Sequence, residues 1–204
     1  MPSSTIAETS RPSGARDRYR FDGMQMALHW LTFLLVIGNY LLARTWGFLP
    51  KGSASRHELQ SLHISVGVLF AVILVTRILW RAGPARRPLP VTRGVVRLAS
   101  DGVHYLLYAL LIAQVVFGVL WAWVVPEGFG VFWLFTIPSP ISLTKADGHF
   151  FGSLHATIAN VILIVAGLHA AAALFHHFVL RDGLLWRMLP GRGAPRPAEP
   201  DKRG

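Results

Sequence analysis

Four apolar runs, each long enough to cross a bilayer, decide what this chain can fold into. They are residues 24–44 (MQMALHWLTFLLVIGNYLLAR), 58–80 (ELQSLHISVGVLFAVILVTRILW), 103–125 (VHYLLYALLIAQVVFGVLWAWVV) and 153–178 (SLHATIANVILIVAGLHAAAALFHHF). A helix of about 20 residues spans roughly 30 Å of hydrocarbon. Each run is apolar all round with only a few embedded polar residues, the pattern of a bundle in lipid and not of a surface helix. In lipid every backbone N–H and C=O must be satisfied within its own segment, so the runs must be helical. The expectation is an all-α, integral membrane four-helix bundle. The first run is not a cleaved signal peptide, because it is long, holds His29 and Asn39, and ends at Arg44 without a small-residue cleavage site.

The net charge of +10 could point to nucleic acid, but its placement argues against that partner. The cations flank apolar runs instead of forming a stripe on a soluble face. Sixteen lie before the first run, around the second connection and after the fourth run; only Arg44, Lys51, Arg56 and Lys145 lie in the other two connections. The positive-inside rule then puts both termini in the cytoplasm. Residues 1–18 and 190–204 are rich in Pro, Ser, Gly and charge and read as disordered cytoplasmic tails around a membrane domain over 19–189. The connection 126–150 carries FGVFWLFTIPSP, read as a short element lying in the interface.

The chain has no cysteine, which excludes disulfides, thiolate metal sites and cysteine-held iron–sulfur clusters. It does place histidines inside the spans, where an ionisable residue is a functional-site hypothesis by default. His155 and His169 are 14 residues apart on the fourth run, so both rings leave nearly the same face, roughly 21 Å apart in depth. His29 enters the first run on the inner side, and His63 enters the second on the outer side. Two pairs therefore stand at matched depths: His29 with His169, and His63 with His155. Zinc usually takes four ligands, or three and a water, and two histidines per level are too few. A haem iron takes one imidazole on each face, and its apolar ring fits between helices. Gly38, Gly67, Gly118 and Gly167 would let such a ring come close. The plainer alternative, a histidine hydrogen-bonding across a helix interface, accounts for one such residue better than for four at two depths.

MALHWLTFLLVI, LQSLHISVGVLFAVILVTRILWR, SLHATIANVILIVAGLHAAAALFHHFVLRDGLLWRMLP and the GFLPKG turn resemble the bacterial cytochrome b561 family, most of all its superoxide oxidase branch. The resemblance runs from about residue 18 to 190. It implies a four-helix bundle enclosing two b-type haems that carries electrons between the periplasmic side and the quinone pool of the bacterial inner membrane. In that branch superoxide is oxidised at the outer side and ubiquinone is reduced. The family's four axial haem-iron ligands fall on His29, His63, His155 and His169. The wider family also contains haem subunits that link a dehydrogenase or other redox protein partner to the quinone pool, which is the alternative function. A transporter is the weaker third class, because the runs lack Gly/Pro-broken segments near their centres.

Secondary candidates follow from spacing. His176 stands seven residues beyond His169, about 10 Å nearer the cytoplasm, where it could protonate a quinone; the alternative is an ordinary interfacial histidine. Arg77, 14 residues after His63, reaches the inner depth, where it would pair with a haem propionate or snorkel to the cytoplasm. His104 opens the third run on the inner side, and a structural role is favoured there. His177 reads as structural, and His57 and His149 as solvent-facing. Arg44, Lys51, Arg56 and Lys145 could draw in a small anion such as superoxide or be ordinary solvated charges.

Overall fold

The structure, a computed structural model, describes residues 20–85, 88 and 94–189. It contains four long helices: α1 (Gly23–Trp46), α2 (Ala54–Ala82), α3 (Gly94–Ala122) and α4 (Lys145–Phe175). Each is long and apolar enough to cross a membrane. The expected tails, 1–18 and 190–204, lie outside the described residues.

The helices begin where local chemistry satisfies their free N–H groups. Asp22 caps α1 by accepting from the Gln25 backbone N–H at 2.8 Å, and Ser53 caps α2 through the Arg56 N–H. Thr144 and Asp147 form a reciprocal capping box at α4, which satisfies two N–H groups at once. These caps explain why α4 begins at 145 and not at the apolar boundary near 153. Polar flanks extend α2, α3 and α4 well beyond their hydrocarbon-length runs, because a helix continues until a cap or a breaker ends it.

α1 packs along α2, and α3 along α4, while α2 meets α3 along a shorter seam. At mid-depth the halves share a core of Phe70, Leu74, Leu111 and Ile162, with Leu35, Val36, Ile78 and Ile158 packed around it. Ile162 is seven residues from both His155 and His169. This apolar layer therefore lies between the two histidine levels. Away from it the helices keep large side chains exposed, among them Leu34, Leu79, Ile164 and Leu168. That is the surface a lipid-embedded bundle presents.

The connection 126–150, expected as a short element, has regular strand structure. It folds into a small antiparallel hairpin, β1 (Phe129–Val131) and β2 (Phe135–Ile137). Phe129 and Val131 are buried, and β1 packs on α2. Gly128 makes the entry possible: its φ is +83°, and a Cβ there would sit 2.0 Å from the Ile137 carbonyl oxygen. The Phe132 N–H donates to Ser65 Oγ at 2.7 Å, tying the hairpin to α2 two residues after His63. Strand pairing wins because it closes backbone hydrogen bonds that a loop at this depth would leave open. Trp133 and Leu134 stay exposed at its tip.

Beyond α4 the chain makes a π-helical turn (His176–Leu180), bends through Arg181 at φ +51°, and ends in a 3-10 turn (Leu185–Arg187). This strap docks against α1. Trp30 Nε1 donates to the Met188 carbonyl at 2.8 Å, Arg20 to the Leu189 carbonyl at 2.7 Å, and the buried Arg187 guanidinium lies over the Phe21 ring.

Candidate functional site: two histidine pairs at two levels

At one level, His63 on α2 faces His155 on α4, with ring centres 6.1 Å apart and planes at 81°. Each Nδ1 lies on a backbone carbonyl: His63 on Asn39 at 3.1 Å, His155 on Gln114 at 3.0 Å. A carbonyl can only accept, so Nδ1 carries the proton and Nε2 keeps its lone pair. This is the second-layer contact that orients metal-binding imidazoles. The Gln114 amide Nε2 stands 3.1 Å from His155 Nε2 and donates toward that lone pair. Trp46 meets His63 edge-on at 4.9 Å, and Trp121 lies 6.0 Å from His155. Gly118 makes room for the His155 ring, since a Cβ there would come within 2.9 Å of it.

At the other level, His29 on α1 faces His169 on α4, with ring centres 6.5 Å apart and planes at 67°. Arg77 sits beside this pair, as its spacing from His63 predicts. Its Nη2 donates to His29 Nδ1 at 3.1 Å and its Nε to the Tyr108 hydroxyl at 3.1 Å. Arg77 and Arg81 both lie over the Tyr108 ring. The ring centre of His104, expected to be structural, lies 5.1 Å from that of His169, beside this pair, while its Nδ1 donates to the Ser100 carbonyl.

The four histidines suit one cofactor geometry. Two imidazoles on opposite faces of one iron, each with a nitrogen–metal bond of about 2 Å, bring their ring centres to about 6 Å. Both pairs have that separation. Among the described residues no group of three or more His, Cys, Asp or Glu could hold a metal ion. Open space beside the backbone at Gly38 and Gly167 suits a flat ring lying against the helices.

The model of the prokaryotic cytochrome b561 family matches residues 20–191. The chain belongs to this family. It is 33% identical to cytochrome b561 homolog 2 of Escherichia coli (strain K12) over 171 residues, 83% of this chain and 91% of the relative. It is 32% identical to a probable superoxide oxidase of Yersinia pestis over 180 residues, 84% of this chain and 96% of the relative. A third relative, cytochrome b562 of Cereibacter sphaeroides, is 29% identical over 178 residues, 83% of this chain and 94% of the relative. This cytochrome b561 family member is thus a bacterial membrane protein of electron transport that uses b-type haem.

The remaining candidates in this family member fall into place by their contacts. His176 lies just beyond the C-terminal end of α4, where its Nδ1 pairs with the Asp182 carboxylate. His177 packs against Trp186, in keeping with a structural role, and His57 and His149 are exposed. Arg44, Lys51 and Lys145 are exposed, and Arg56 is half-buried. It donates to the Trp46 and Leu49 carbonyls at 2.8 and 3.2 Å and staples the α1–α2 turn. Burial lowers the Arg187 guanidinium below its ordinary range, while the charge of Asp182 opposes that shift. Sequence reasoning missed Tyr108, Gln114, Trp46, Trp121 and Asp182. Tyr108 and Gln114 had a usable signal, since polar side chains inside apolar runs warrant the question asked of the histidines.

Proposed function

We propose that the chain is a superoxide:ubiquinone oxidoreductase of the bacterial inner membrane, with both termini cytoplasmic and residues 19–189 forming the dihaem domain. The observation that carries the reading is the pair of facing imidazoles at each of two levels, separated by an apolar layer. One haem b would be held by His63 and His155 and the other by His29 and His169. Bound haem supplies reversible one-electron chemistry at each level. With haem bound, the outer pair would take one electron from each superoxide anion, and the inner end would be where ubiquinone collects two. The chain's own part is to hold and orient. Asn39 and Gln114 carbonyls fix the outer rings, and Arg77, held by Tyr108, brings a cation to the inner pair for a propionate carboxylate. Exposed Arg44, Lys51 and Lys145 give the outer face a bias toward an anionic donor. His176 stands at the inner end to protonate the reduced quinone. The kinship to a probable superoxide oxidase supports this choice of donor.

A second reading, a haem subunit that takes electrons from a redox protein partner, is favoured by the relatives named simply as cytochrome b561 homologs. Stopped-flow mixing of the purified protein with superoxide separates the two. Rapid haem reduction followed by quinone reduction without any other protein is expected. Haems that superoxide fails to reduce would replace the enzyme reading with the subunit reading.

A further inference from the structure

We infer that Asp182 is a positioning residue for proton delivery, forming with His176 a carboxylate–imidazole dyad that serves the quinone; this rests on the proposed quinone reduction at the inner end. Three observations meet at this point. The α-helix gives way to a π-helical turn at His176–Leu180, and such turns recur at functional sites because they re-aim side chains. Arg181 then takes the left-handed conformation at φ +51° and Gly183 follows at φ +73°. A non-glycine residue held there stores strain that the surroundings must outweigh. The result of this reversal is that Asp182 comes back beneath His176. One carboxylate oxygen, Oδ2, accepts from His176 Nδ1, and the other, Oδ1, accepts from the Leu184 N–H at 3.0 Å.

The carboxylate is thereby fixed on both oxygens and cannot rotate away from the ring. With Nδ1–H committed to Asp182, Nε2 is the nitrogen left to exchange a proton with a substrate. A carboxylate so placed keeps an imidazole in one tautomer and orientation and offsets the positive charge when the ring is doubly protonated. The side chains of His176 and Asp182 are 17% and 29% exposed, so the dyad is sheltered yet open to resupply from water. The buried Arg187 and Asp182 act on one another electrostatically, and Arg181 adjoins Asp182 in the chain.

The balance of the step is complete. Two superoxide anions each lose one electron and leave as dioxygen. Ubiquinone gains both electrons and two protons, and its two carbonyls become hydroxyls. His176 Nε2 gives one of those protons to a quinone oxygen, and water on the cytoplasmic side restores it; the second proton reaches the other quinone oxygen from that same water.

The test compares wild type, Asp182→Asn and His176→Ala in the haem-loaded, detergent-purified full chain, with superoxide and a short-chain ubiquinone. Asparagine keeps the size and one acceptor oxygen but not the charge. Asp182→Asn is expected to retain full haem content and the wild-type rate of haem reduction by superoxide. Its kcat for quinone should fall roughly tenfold or more with KM little changed, and its solvent deuterium isotope effect should rise as proton delivery becomes limiting. Adding Asp182→Asn to His176→Ala should then cost nothing further. If His176→Ala slows quinone turnover but Asp182→Asn does not, Asp182 has no such role and the quinone site stands. If His176→Ala changes nothing, the placement of quinone fails and the dyad fails with it. An Asp182→Asn protein that loses its haem would assign Asp182 to closing the turn and would also overturn the inference.

Discussion

His155 is closely held. It is held by the Gln114 carbonyl, touched by the Gln114 amide and pressed against Gly118. Gly118→Ala would put a methyl group 2.9 Å from its ring, closer than carbon atoms tolerate. The expected outcome is loss or shift of the outer haem's absorption component with the inner one intact, read from low-temperature spectra of the purified variant. Paired substitutions give the complementary result: His63→Ala and His155→Ala should disturb one component, His29→Ala and His169→Ala the other. If His155→Ala and His169→Ala altered the same component, the two-level arrangement would be wrong. The ligand candidates were legible in the sequence because charge and polarity are rare in lipid and helical periodicity converts spacing into depth. Asp182 was not legible, since the left-handed turn that returns it to His176 has no periodic signature. The hydrogen bonds of Arg56 to the Trp46 and Leu49 carbonyls were not legible either, because a sequence does not show which carbonyls a turn leaves open.

Helices α1, α2 and α4 begin at polar caps, and the β1–β2 hairpin is tied to α2 through one hydroxyl. Ser65 is 1% exposed, and its Oγ both accepts from the Phe132 N–H and donates to the Ser61 carbonyl. Ser65→Ala leaves the Phe132 N–H without that partner, a cost of about 1–3 kcal/mol for a buried donor. Faster amide hydrogen exchange confined to residues 129–137 is the expected sign, and unchanged exchange there would mean that the strand pairing alone holds the hairpin. Arg181→Gly has the opposite sense. It removes the steric cost of a left-handed non-glycine residue, about 1 kcal/mol, and adds backbone freedom to the unfolded chain. A thermal midpoint within a few degrees of wild type is expected. Existence and order of the four helices followed from the apolar runs. Their ends did not, because capping by Asp22, Ser53 and Thr144 decides them, and the hairpin was invisible because its aromatic residues suit an interfacial loop and a strand equally.

For the whole molecule, a pyridine-haemochrome assay should return about two haems per chain, and one or none would refute the proposed cofactor content. If exposed outer cations steer superoxide, its rate of haem reduction should fall between low and physiological salt, because screening shortens the reach of surface charge to about 8 Å. A rate indifferent to salt would remove steering from the account. The way the helices pair has a further consequence for assembly. α1 lies along α2 and α3 along α4, yet each histidine pair joins one half to the other: His29 to His169, and His63 to His155. On the proposed ligation each haem is a keystone set between two helical hairpins that can enter the membrane separately. Mass action then couples folding to haem supply, since a ligand that binds only the assembled form stabilises it in proportion to the logarithm of its concentration. Cells starved of haem should hold little of this protein even with its message intact, the unclosed halves going to membrane proteases, and pulse-chase labelling with and without a haem precursor would reveal that difference in lifetime.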